Sequence, residues 1–111
     1  MNADKDTEKR FQELQILEQQ VQTLLMERQQ SQIEIHEAEN ALEELKKAQG
    51  DVFRVLNGIM IKAEKNALTK EIEEKRKIAD VKIKAIEKRE AILQKSIGNL
   101  REELQKNLAK K

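Results

Sequence analysis

The sequence predicts a mainly α fold, a long antiparallel helical coiled coil with a central β-hairpin joining the two helices. Three observations predict it. Apolar residues recur at alternating spacings of three and four through both halves of the chain, the a/d pattern of a coiled coil. The one segment that breaks this pattern, Val52-Phe53-Arg54-Val55-Leu56-Asn57-Gly58-Ile59-Met60-Ile61-Lys62, is short, rich in β-branched residues and interrupted by Asn57-Gly58. Those two residue types tolerate the positive φ angles of a tight hairpin turn. Charged residues make up 39% of the chain and aromatics 2%, with no Pro, Trp, Tyr or Cys. Such a composition suits a coiled coil and cannot fill a thick globular core.

In order, residues before Thr7 are polar and expected to fray. A first helix is expected over about residues 7–48. Its seam is Leu14, Leu17, Val21, Leu24, Arg28, Ser31, Ile35, Ala38, Leu42 and Leu45, roughly 50 Å long at about 1.5 Å per residue. Lys46 and Lys47 sit near the negative pole of the helix, and Gly50 lies just beyond as a breaker. The hairpin is expected over about residues 51–63. A second helix follows over about 66–107, with Asn66 as its expected N-cap. Its seam is Ile72, Arg76, Ala79, Ile83, Ile86, Glu90, Leu93, Ile97, Leu100 and Leu104. Gly98 costs about 1 kcal/mol against Ala in a helix interior, without breaking the pattern. The basic tail from Lys106 to Lys111 is expected to fray. All 111 residues form a single domain in this reading.

Pairing the two seams outward from the hairpin places Leu45 near Ile72, Leu42 near Arg76, Ile35 near Ile83, Val21 near Ile97 and Leu14 near Leu104. In this register Arg28 falls opposite Glu90. These are oppositely charged interruptions of their seams. An Arg–carboxylate pair removes much of the penalty of burying either charge alone. The competing account is that each long side chain reaches solvent separately.

An isolated two-stranded hairpin is marginal in water, so the central strands need partners from other chains. Val52, Phe53, Val55, Leu56, Ile59, Met60 and Ile61 are therefore the candidate assembly residues. Packing of the hairpin on its own helices is the simpler alternative.

Several chemistries find no support. His36 is the sole histidine and has no cysteine near it, so a metal site is not expected. Asp4, Asp6 and Glu8 lack the glycine turn and spacing of a calcium loop. No glycine-rich phosphate loop or nucleophile–base pair is evident, so neither catalysis nor a cofactor is expected. The net charge of +1 provides no bulk attraction for nucleic acid or an anionic membrane. The basic residues Lys70, Lys75, Arg76, Lys77, Lys82, Lys84, Lys88 and Arg89 are interleaved with acids. No apolar run approaches the roughly 20 residues that span a bilayer, and the first residues do not read as a signal peptide. The expectation is a soluble cytoplasmic protein that binds neither nucleic acid nor membrane. Disorder, which also fits high charge and few aromatics, is opposed by the sustained heptads.

At the hairpin and its flanks the sequence resembles the beta-type subunit of prefoldin, the cytosolic co-chaperone of archaea and eukaryotes. The resemblance runs over residues 52–62, with an aromatic after Val52, a basic residue, a Gly turn, an apolar strand and then Lys62. It continues through Ala67-Leu68-Thr69-Lys70-Glu71-Ile72-Glu73-Glu74-Lys75 at the start of the second helix. The family's Gly usually comes one residue earlier, where this chain has Asn57. The resemblance implies a hetero-hexamer of two alpha-type and four beta-type subunits, each beta-type hairpin joining a shared β-barrel. It implies unfolded proteins as clients, held between coiled-coil tips and passed without ATP to a group II chaperonin. In that architecture the tips are the chain ends. Their apolar residues Phe11, Leu14, Ile16, Leu17, Leu100, Leu104 and Leu108 are the candidate client contacts. Leu14, Leu17, Leu100 and Leu104 belong to the seams, so helix packing competes for them; Phe11, Ile16 and Leu108 lie off the seams. The alternative function is a homodimeric coiled-coil scaffold without chaperone activity, which accounts for the heptads but not for the central β segment.

Overall fold

The fold is that of a computed structural model, which describes residues 2–109, with side chains from residue 5 onward. Two helices flank one antiparallel hairpin. The elements are α1 (Asn2–Lys47), β1 (Val52–Leu56), β2 (Ile59–Ala63) and α2 (Lys65–Ala109). Helix α1 begins at Asn2, earlier than the expected residue 7. Residues 2–6 contain neither Gly nor Pro, so nothing in the backbone stops the helix there. Helix α2 likewise continues to Ala109; Lys110 and Lys111 of the expected fraying tail lie outside the described residues.

The start of α2 corrects the expected cap. The Glu64 carboxylate accepts hydrogen bonds from the backbone N–H groups of Asn66 at 3.2 Å and Ala67 at 2.8 Å. Glu64 therefore caps the helix, and Asn66 is one of the residues capped. The four leading N–H groups of a helix lack partners within it. A carboxylate satisfies two of them here and places negative charge at the positive pole.

The chain divides into two compact units, Gln29–Ile83 and Met1–Arg28 with Lys84–Lys111. In the first, β1 pairs with β2 in the register Val52↔Ala63 through Leu56↔Ile59. The two-residue turn has φ of 49° at Asn57 and 81° at Gly58. Both central residues are left-handed, as a hairpin turn matched to strand twist requires. Ala38, Leu45 and Ala79 are buried between α1 and α2, with Ser31, while Ile35, Leu42, Ile72 and Ile83 are half-buried. One seam position departs from expectation. Arg76 is exposed and its Nη2 lies 3.4 Å from Glu39 Oε1. Its side chain is about half exposed, so the charged head reaches water from the seam position.

In the second unit Val21 and Leu24 of α1 are buried together with Ile86, Ile97, Leu100 and Leu104 of α2. Leu14, Leu17 and Leu93 are half-buried. Arg28 Nη1 lies 3.0 Å from Glu90 Oε2, with both side chains largely shielded. The seam also continues two steps further than the apolar pattern shows. Thr7 is buried, and Arg10, three residues on, lies 3.4 Å from Glu103. Among the described residues, no helix is long and apolar enough to cross a membrane.

Candidate functional site

The hairpin carries a dense set of exposed apolar side chains. Neighbouring residues of a strand face opposite ways, and directly paired residues share a face. The register therefore puts Val52, Arg54, Leu56, Ile59, Ile61 and Ala63 on one face. Phe53, Val55, Met60 and Lys62 occupy the other. The first face turns toward the helices at its base, where Val52, Arg54 and Ala63 are partly buried. Arg54 is ion-paired with Glu71 of α2. Lys65 Nζ donates to the Ala48 carbonyl at 3.1 Å, tying the start of α2 to the end of α1.

Away from this base both faces are open. Val55, Ile59 and Met60 are each about two-thirds exposed, and Phe53, Leu56 and Ile61 about half. Residues of this kind scattered singly need no explanation, but a contiguous apolar patch marks an interaction surface. The sheet has only these two strands, so each carries an unpaired edge of backbone donors and acceptors. Beside β1 lies a groove of about 660 Å³. Its floor comes from Ala41 and Leu45 of α1, Ala48 just beyond it, and Leu68 and Ile72 of α2, and Glu44, Glu71 and Lys75 add charges. The arrangement offers strand edges, apolar side chains and a place to seat more of them. Among the described residues, no group of His, Cys, Asp or Glu comes together as a metal site.

The chain-end candidates divide into two groups. Phe11, Ile16 and Leu108 are exposed. Leu14 and Leu17 are half-buried. Leu100 and Leu104 are buried between the helices, at 9% and 4% exposure. These two pack as core residues in the closed coiled coil. Their heptad positions carry both properties in sequence, and only burial separates them. Other exposed apolar residues were missed as candidates, among them Met26, Ile33, Ile78, Val81 and Ile92. The signal was available, since all lie off the two seams at outward heptad positions.

Comparison with known proteins places this geometry in context. The model of one protein family, described as prefoldin subunit, matches residues 8–111. The chain is 31% identical to the prefoldin subunit beta of Methanothrix thermoacetophila, over 86% of this chain and 82% of that protein. It is 30% identical to that of Archaeoglobus fulgidus, over 87% and 85%. The solved prefoldin beta subunit from Thermococcus strain KS-1 superposes with a TM-score of 0.81 at 24% identity, covering 91% of this chain and 90% of that one.

Proposed function

Because the chain belongs to the prefoldin family, on its beta-type side, and so has the role of a chaperone subunit, we propose that it acts as one domain within an ATP-independent co-chaperone. The hairpin is the assembly element. It joins alpha-type subunits and further beta-type copies, two alpha to four beta. One observation carries this reading: Val55, Ile59 and Met60 stand about two-thirds exposed on a sheet with two open edges. Left in water, that surface is unfavourable at roughly 25 cal/mol per Å² of apolar area. Strands from sibling subunits would cover it and complete the backbone pairing.

The chain ends are the client side. Phe11, Ile16 and Leu108 offer apolar contact without opening the core, and half-buried Leu14 and Leu17 would join them when the ends fray. Hydrophobic attraction has no direction and scales with area, so a few such groups suit a weak, unselective grip. Repetition over several subunits strengthens it by multivalency. Non-native proteins so held in the cytoplasm would pass to a group II chaperonin. Native mass measurement of the chain, alone and mixed with an alpha-type subunit, tests the assembly. A mixed hexamer supports the proposal; a stable monomer or plain homodimer in both samples refutes it.

A further inference from the structure

Over residues 84–95 of α2 the lysines gather on one side of the helix. On the outward side over residues 84–95 stand Lys84, Ala85, Lys88, Ala91, Ile92 and Lys95, all exposed. No acid lies among them. The two carboxylates of this stretch stand off the strip: Glu90 is engaged by Arg28, and Glu87, exposed three residues after Lys84, flanks its edge beside the seam residue Ile86. Among the described residues, none of Lys84, Lys88 and Lys95 takes part in an ion pair. Lys84 and Lys88 are like charges at i,i+4, which opposes an isolated helix. Ile92, two-thirds exposed, is four residues after Lys88 and three before Lys95, one helical turn from each, and gains nothing from water.

We propose that this outward face of α2, residues 84–95, docks an acidic amphipathic polypeptide segment, with carboxylates on the three lysines and an apolar side chain against Ile92 and Ala85. The charges span about 16 Å at 1.5 Å per residue, a length matched by a partner helix of three to four turns. Nucleic acid fits the face less well. An exposed Ile92 has no counterpart on a phosphate backbone, and the strip carries no aromatic group on which a base could stack. An anionic membrane fits less well too, since surface-bound helices bury a broad apolar face rich in Trp, Phe and Leu. The site is separate from the hairpin and from the chain-end residues, so it does not depend on their roles.

The test uses the full chain and a fluorescein-labelled helical peptide of about five turns, with leucines at heptad spacing flanked by glutamates. Anisotropy at low salt is expected to show binding that weakens as salt rises. The variant Lys84→Glu/Lys88→Glu/Lys95→Glu is expected to lose about tenfold or more in affinity, three exposed ion pairs each contributing a few-fold. It should gain affinity for the same peptide carrying lysines in place of glutamates. Ile92→Ser should weaken binding several-fold without changing its salt dependence. All the substituted residues are exposed, and circular dichroism checks that helix content is unchanged; Lys84→Gln/Lys88→Gln/Lys95→Gln replaces the reversal if it is not. Failure of the acidic peptide to bind overturns the proposal. So does equal binding by wild type and variant, or tighter binding of a short DNA duplex or anionic vesicle than of the peptide.

Discussion

Arg28 and Glu90, 62 residues apart in sequence, form an ion pair of 3.0 Å between α1 and α2. Each is a charged interruption of its seam, and each neutralises the other. A slip of one heptad would leave an arginine and a carboxylate facing apolar neighbours. The pair therefore acts on register, as a polar group within a coiled-coil seam does. Removing one partner, by Glu90→Ala, is expected to cost about 1 kcal/mol, the usual value for a charged hydrogen bond reduced for partial solvent access. Replacing both with leucine should be neutral or stabilising. Thermal unfolding of the two single variants and the double variant measures this. Equal destabilisation by the single and double replacements would show that charge compensation is not what matters at this layer.

The hairpin turn is expected to be intolerant at one position. Gly58 has a φ of 81°, and a β-carbon there would meet no neighbouring atom within 4 Å. Steric room is thus available, and the backbone angle alone opposes a side chain. Gly58→Ala should cost about 1–2 kcal/mol, whereas Gly58→Asn should cost less because Asn tolerates this region. Comparison of the two by chemical denaturation separates backbone strain from loss of space.

The cap on α2 predicts a small effect in a defined place. Glu64→Ala removes both acceptors of the Asn66 and Ala67 amides and should cost about 1 kcal/mol. Amide hydrogen exchange at residues 65–68 should accelerate in the variant. Asn66→Ala should leave that protection unchanged.

Assembly and client contact should be separable by mutation. Ile61→Lys places a charge within the exposed hairpin patch and is expected to abolish co-elution with an alpha-type subunit on size exclusion, with the helical content intact. An unchanged assembly would count against the hairpin as the joining element.

At the chain ends, Phe11→Ser and Leu108→Ser should shift stability by no more than about 0.5 kcal/mol, as surface changes do. Together with Ile16→Ser they should reduce suppression of client aggregation. Leu104→Ala should instead destabilise by about 2–5 kcal/mol, since it empties a buried site. Aggregation assays run beside thermal melts distinguish the two classes.

Much of the architecture was legible along the chain because coiled coils write their core in one dimension. Spacings of three and four marked the seams from Leu14 to Leu45 and from Ile72 to Leu104, and Asn57-Gly58 marked the turn between two apolar strands. The signals are local: a heptad needs only its own helix, and a two-residue turn only its own φ angles. Where side chains are long, the same reasoning stopped short. Arg76 and Glu90 occupy equivalent seam positions, yet Arg76 is exposed beside Glu39 and Glu90 stays shielded beside Arg28, because Arg28 lies on the α1 seam and Glu39 lies off it. Glu64 displaced Asn66 as the cap through the precise exit of β2, which composition does not specify. Leu104 and Leu108 are identical residues four apart on one helix; the seam spacing already set them apart, and packing against α1 buries the first and leaves the second in water. The order of the elements thus followed from backbone preferences and periodicity, while the roles of individual charged and apolar groups were decided by which surface the other helix happened to cover.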